Sequence, residues 1–570
     1  MRTFAPLLFF MAVSAQVIAQ DTTNTGTDFW IGYGHHQFMQ TGTNSQELLL
    51  YFRTGAQGAN VTVTIDSSGT PTVPSTQWKR TYSIPANTAY TPSETIPKSG
   101  QYDARLFTDM PPVGTGSIGL FRKKGIHVQS DVPIAVYAHI YGSSSSGATM
   151  VLPVQAWGYT YYSMNSKQVY ASNTFSWLFV IAREDSTVVE ITPSVKTRLQ
   201  NQTGLQQGLP TTVLLQKGQI YQIMGANDGA DANGNGGAAS SAKDLTGTKV
   251  RALVRGRPVA VFAGSSRTSN PASCGSGGGD NDIVQLFPLH VWGRRYLTAP
   301  TSGSAGASSA ATNVYRVVVY DPTTVVKRNG VTLANLVNNG YYTFESNTAD
   351  YIEADKPVLV GQFPGGANCN PGSEGDPDFY LLSPIDGGIK ATNAIRTNRE
   401  NISVNYATLI VPTAALSTLR IDNSALFDHS YPHPQNAAYT VVVKRWPALQ
   451  TQFTVQCDSL FTGITYGLGP VESYGFNIGA RFNPLQGIDP MYKVRWTGTT
   501  NSDWTNPGNW SSGSVPTADE HVYIQAGAAN NPVIGDGLNV TCQSVEVETG
   551  ASLTVKPSAR LTVLRPSGSK

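Results

Sequence analysis

Asp131-Val132-Pro133-Ile134-Ala135-Val136, Gly256-Arg257-Pro258-Val259-Ala260-Val261 and Asp355-Lys356-Pro357-Val358-Leu359-Val360 are three copies of one pattern. It reads Asp or Gly, any residue, Pro, an aliphatic residue, any residue, Val. A second marker follows each copy: LPVQAWGYTYY from Leu152, FPLHVWGRRYL from Phe287 and, more faintly, SPIDGGIKAT from Ser383. The copies recur roughly every hundred residues, well beyond the ~20–50 residue period of solenoid rungs. Small domains repeated in tandem are therefore expected, with function sought in their surfaces and loops.

Around these markers the periodicity is of strand type. LLLYF (48–52), VTVTI (61–65), WLFVI (177–181), VVEIT (188–192), YRVVVY (315–320) and YTVVV (439–443) are β-branched and aromatic runs bounded by Gly, Pro, Asn and Ser, which is how strands read. No stretch carries a capped helical period. Each proline is expected at a strand entrance, where its missing N–H costs no ladder bond. A fourth copy, without the proline, ends in VQCDSLFTGITYGLG (455–469). The fold expected is all-β: four tandem β-sandwich-like units over about 20–165, 166–300, 301–392 and 393–490, or a pseudo-symmetric, propeller-like arrangement of them.

A separate Trp/Gly-rich module is expected over 491–570. It opens with Trp496, Trp504 and Trp510 and continues in short rungs, VTCQSVEVETGASLTV (540–555) and ARLTV (559–563). Strands alternating with tight Gly turns resemble the first coils of a β-helix or a small jelly roll. The pattern is still running at Lys570, which reads as a fragment or an unusually short module.

Residues 1–19 read as a secretory signal: Arg2 is the positive start, Leu7-Leu8-Phe9-Phe10 the apolar centre, and cleavage is expected after Ala19. No later run approaches the ~20 apolar residues of a spanning helix. Only 13% of residues are charged, while Gly (56) and Pro (34) abound, a composition suited to extracellular β-structure. A net charge of +2 gives no reason to expect nucleic acid or an acidic membrane as partner. The four cysteines, Cys274, Cys369, Cys457 and Cys542, permit three connectivities. Cys274 and Cys369 occupy equivalent loops, an arrangement that argues for separate local partners, and no pairing is assigned.

GTDFWIGYGHHQ (26–37), the Pro-containing strands, QLFPLHVWG (285–293) and DSLFTGITYGLGPVESYGFNIG (458–479) together resemble the IgGFc-binding protein N-terminal domain family, in its bacterial exported branch. The resemblance covers about residues 24–484. It implies a surface-displayed binding or adhesion protein whose partner is an extracellular glycoprotein, mucin or polysaccharide. The family often has paired cysteines before the QL-x-P segment. Here Cys274 stands with Asp280-Asn281-Asp282 instead, a departure from that pattern. The W-x-G…NW-x-x-G-x-x-P pattern after Arg495 is similar to modules of large bacterial surface proteins. A non-catalytic spacer or assembly role is the alternative, and a secreted hydrolase the third.

Chemistry-bearing residues are few. His35 and His36 are adjacent in an opening strand, so their side chains face opposite ways and cannot share one metal ion; they read as polar edge residues, or as ligand-binding residues if the fold brings His127 or His139 nearby. Asp231-x-Asn233-x-Asn235-Gly236 fits half a calcium loop, with Ala242 where a bidentate Glu belongs. Asp280 and Asp282 recur as Asp376 and Asp378 in the next unit. They read as acidic loop tips that bind calcium or a basic partner, or that satisfy their own turns. Trp157 and Trp292 read as core plugs or sugar platforms, core being favoured by their apolar flanks. Trp504 and Trp510, set among Asn, Gly and Ser, read as the more exposed ligand candidates. No G-x-S-x-G elbow, H-E-x-x-H helix or P-loop occurs, so no enzyme is expected. Calcium apart, no cofactor is expected either.

Overall fold

Runs of Val, Ile, Tyr and Thr with no capped helical stretch leave sheets as the way to build a core. The computed structural model describes residues 23–39, 43–67, 76–107, 119–122, 124–168, 170–172, 174–198, 204–231, 236–238, 241–268, 273–275, 278–482, 493–518, 520–548 and 550–563. The expected signal segment, 1–19, lies outside them. Among the described residues the regular structure is strand, broken only by short 3-10 turns. The chain up to Phe482 belongs to one compact unit and that from Lys493 to another.

Four successive groups of strands in the first unit share one pairing pattern. Each has a long strand followed by a closing strand. These are β1 (Ile126–Tyr141) with β2 (Ser146–Val151), β3 (Val259–Thr268) with β4 (Asp280–Gln285), β5 (Tyr351–Pro364) with β6 (Tyr380–Leu381), and β7 (Thr451–Gly469) with β8 (Glu472–Asn477). Ile126–Ser130 of β1 lie between strands Thr25–Ile31 and Ala59–Ser67, whereas its C-terminal half lies between Glu47–Thr54 and β2. The strands β5 and β7 change partners in the same way. In the second group Lys249–Ala252 supplies the first half and β3 the second.

This crossing explains the Asp-x-Pro signature and corrects one expectation. Pro258 does stand just ahead of β3, but Pro133 and Pro357 lie inside β1 and β5. They sit where the strand leaves one sheet for the other, and residues 131–133 and 355–357 have no register partner. A missing N–H is harmless there. The aspartate fixes the crossing: Asp131 accepts from the Asn60 backbone N–H at 2.8 Å, and Asp355 from that of Val325 at 2.9 Å.

The closing strands meet. The strand β2 packs against both β4 and β8, and β6 packs against β8, and all four line one small pocket through Thr149, Gln285, Tyr380 and Asn477. Backbone and side chain tie neighbours together. Gln285 N–H donates to Thr149 Oγ1 (3.0 Å), Ser146 Oγ to the Ser473 carbonyl (2.5 Å), and Asn477 Nδ2 to the Leu381 carbonyl (2.9 Å). Of the two arrangements open from sequence, this is the pseudo-symmetric, propeller-like one, with each closing strand innermost in its sheet.

The two Trp-Gly segments brace the seams that follow the first and second groups. Trp157 and Trp292 are buried, and their indole N–H groups donate to the Leu152 and Phe287 carbonyls at 3.2 and 3.1 Å. Three residues after the glycine, the Tyr161 hydroxyl accepts from Gly158 N–H and donates to the Val259 carbonyl. Tyr296 does the same between Gly293 and Val358. Both carbonyls belong to the residue after the signature proline. The glycines give room: a Cβ at Gly293 would lie 2.2 Å from Pro384 Cβ, and one at Gly158 would lie 2.5 Å from Pro288 Cβ. Gly293→Ala is therefore expected to cost about 1–3 kcal/mol in a denaturant melt. Gly55→Ala, where a Cβ meets nothing within 4 Å, should stay within about 0.5 kcal/mol of the parent.

In the second unit the ladders are parallel. Lys493–Trp496, His521–Ile524 and Ser544–Val547 stack in one sheet, with Val533–Ile534 on Thr554–Val555 and Asn539–Cys542 on Arg560–Val563 beside it. Parallel rungs are the β-helix alternative rather than the jelly roll, whose hairpins are antiparallel.

Candidate functional site

At the start of the closing strands the four groups contribute equivalent residues to one place: Ser146 on β2, Asp280 and Asp282 on β4, Asp376 and Asp378 just ahead of β6, and Glu472 on β8. All are buried. The acidic pairs are thus not loop tips, which corrects the sequence reading. Asp280 opens a strand that is covered on both faces, and the chain carrying Asp376 and Asp378 is folded against it.

Asp280 Oδ1 accepts from the backbone N–H groups of Ser146 and Asn281, the latter at 2.8 Å, while Oδ2 has no protein partner. Both oxygens of Asp376 and Glu472 Oε2 are also without one. A Cβ at Gly278 would lie 1.8 Å from Asp376 Oδ1, so only glycine lets the two chains approach this closely. Ser473 Oγ donates to the Asp376 carbonyl at 2.8 Å, and Asp378 Oδ1 accepts from the Phe379 N–H at 2.7 Å.

Burial dominates the electrostatics, because a carboxylate loses its hydration here. It pushes Asp376 up to about 7, against the pull of Arg267, and Glu472 up to about 8, partly offset by the Ser146 side chain. Asp280 is raised well above the usual carboxylate range, first by burial and then by Asp376, Glu472 and Asp378. Burial likewise raises Asp378, and brings Asp282 to about 7 against the pull of neighbouring Ser265 and Arg316. Arg267 is the cation at the rim. Its Nε donates to the Gly279 carbonyl at 2.7 Å, and its guanidinium stacks 4.9 Å from the Tyr170 ring. Among the described residues no three His, Cys, Asp or Glu side chains are grouped so as to hold a metal ion.

The cysteines join this site. Cys274 and Cys369 form a disulfide, Cα–Cα 5.4 Å, a few residues before Asp280 and Asp376. Sequence equivalence argued for local partners. Folding about a common axis makes equivalent loops of neighbouring groups each other's partners. Cys457 and Cys542 are free and buried.

The other sequence candidates lie elsewhere. His35 and His36 follow the opening strand and are buried, not edge residues, and burial holds both rings down at about 3, hence neutral. His35 Nδ1 meets Ser266 Oγ at 2.7 Å, and His36 Nδ1 accepts from Phe38 N–H at 3.1 Å. His127 and His139 are engaged separately, with Asp28 Oδ1 at 2.8 Å and the Tyr51 hydroxyl at 2.9 Å. Asp231 is exposed, and its carbonyl accepts from Lys196 Nζ. Asn233 and Asn235 of that loop lie outside the described residues. Trp504 and Trp510 are not exposed platforms. With Trp496 they make a buried edge-to-face cluster, with centroids 4.7 and 4.8 Å apart, and Trp510 Nε1 donates to the Trp504 carbonyl at 2.8 Å. Their polar flanks serve turns: Asn509 alone bonds Asn501 and the Asp503 carbonyl while accepting from two backbone N–H groups.

Ser146, Glu472 and Arg267 were missed from sequence. The signal available was positional, since SGATMV (146–151), DNDIVQ (280–285) and ESYGFN (472–477) are the same closing strand in three groups.

Fold and site define an all-β scaffold whose strand groups meet at an axis lined by buried acids. A family model described as IgGFc binding protein matches residues 147–467, more than half of the chain, and the chain belongs to that family. The match is narrower than the 24–484 expected. A second model, a domain of unknown function (DUF8693), matches residues 495–566. None of the curated proteins compared matches the chain. Membership of this family places the chain among binding proteins.

Proposed function

We propose that this chain is a secreted or cell-surface adhesion protein whose first unit, read as four repeats, recognises an extracellular glycoprotein, mucin or polysaccharide. The observation that carries the reading is the binding-family match over residues 147–467. Loops carried on a rigid β scaffold are a common place for recognition. A disulfide fits an oxidising compartment, and no helix among the described residues is long and apolar enough to cross a membrane. The protein acts by binding rather than catalysis, with no cofactor beyond a calcium requirement that chelation would reveal.

The test is capture of mucin, enzymatically deglycosylated mucin, IgG and bacterial polysaccharide by the full chain, with and without EDTA. Glycan-dependent capture is expected. Equal capture of both mucins, or of IgG alone, would shift recognition to protein. Silence from a folded sample would favour the spacer or assembly role.

A further inference from the structure

We propose that the carboxylates where the closing strands converge form a proton-dependent lock: protonated, they hold the four strand groups together, and on losing their protons they loosen the junction. The geometry carries this. Asp280, Asp376 and Glu472 come from three different groups, the fourth supplies the Ser146 N–H to Asp280, and oxygens of all three acids are buried without a protein partner. Two ionised carboxylates side by side in a dry site repel, whereas one that keeps its proton can donate to the other. A proton kept on Asp280, Asp376 or Glu472 thus removes a repulsion between one group and the next.

The groups facing the cluster are few. Among the described residues, from β3 comes Arg267; from β4, Asp282 besides Asp280; from the segment before β6, Asp376 and Asp378, with Tyr380 of β6 acting on Asp378; from β8, Glu472, with Glu400 acting on it across the adjoining loop. Arg316, which also acts on Asp282, is already paired with Asp244 at 2.5 Å. One guanidinium at the rim cannot neutralise several buried carboxylates, so neutrality here depends on protons.

The direction follows from linkage. Raised acids bind more protons folded than unfolded, so stability falls with rising pH between the two values. The contribution is complete below the ordinary values of 3.8 for Asp and 4.5 for Glu, and is lost as pH rises through about 7 for Asp376 and about 8 for Glu472.

The test is a set of thermal melts of the full chain from about pH 5 to about pH 9, in EDTA and in millimolar calcium. The wild type is expected to melt several degrees lower at the alkaline end. The isosteric Asp376→Asn/Glu472→Gln variant, fixed in a neutral form, should lose most of that slope and melt above the wild type at alkaline pH. Hydrogen exchange over residues 278–285 of the wild type, corrected for its intrinsic pH dependence, should show protection lost in the same window, and this readout stands if the variant fails to fold. Identical pH slopes in variant and wild type would overturn the proposal. So would calcium restoring the alkaline wild type, which would make the junction a cation site instead.

Discussion

Trp292→Ala is expected to destabilise the first unit by about 3–5 kcal/mol, the range for deleting a large buried aromatic side chain. The indole has no exposed surface, its ring centroid lies 5.8 Å from that of Tyr162, and its N–H satisfies the Phe287 carbonyl. Removing it leaves a cavity and an orphaned carbonyl at the seam between the second and third groups, beside the Gly293–Pro384 contact. A thermal melt should show an early transition, and binding should fall only in proportion to unfolding. A variant that melts like the parent yet no longer binds would make Trp292 a recognition platform. Trp292→Phe, which keeps most of the volume, should recover much of the stability.

The second large effect is expected from the disulfide. Cys274 and Cys369 are 95 residues apart in sequence, and a link closing a loop of about that length restricts the unfolded chain by up to ~4–5 kcal/mol in the chain-entropy account. Cys274→Ser/Cys369→Ser is expected to lower stability by about 2–5 kcal/mol. Reduction of the wild type should have the same effect, while the variant should not respond to reductant. The acidic residues lie just after both cysteines, so the steeper loss is expected at alkaline pH, where the carboxylates repel. A variant as stable as the parent would mean that the closing strands hold the second and third groups together unaided.

Some of this was legible in residues alone. The Asp-x-Pro signature marked the long strands because a proline and a short acidic side chain suit a place where a ladder is interrupted. The Trp-Gly-x-x-Tyr spacing marked the seams, since a buried indole, a close glycine contact and a hydroxyl bridge each need their own residue type. Where the reading failed, it treated neighbours in sequence as the environment. Asp280 and Asp282 among glycines looked like a solvated loop, and Trp504 and Trp510 among asparagines looked exposed. Around Trp504 and Trp510 the flanking polar residues serve turns, and in both cases the side chain in question is covered by chain from elsewhere.

The sequence by itself determined that the chain is built from strands and that its markers recur, because period-two hydrophobicity, proline placement and β-branched runs act over a few residues. Only the tertiary structure decided that equivalent strands converge on one axis. That convergence makes Cys274 and Cys369 partners and buries acids from three groups beside one another. Such pairings join residues about a hundred positions apart, and burial, which sets the charge of a carboxyl group, is a property of everything packed around it.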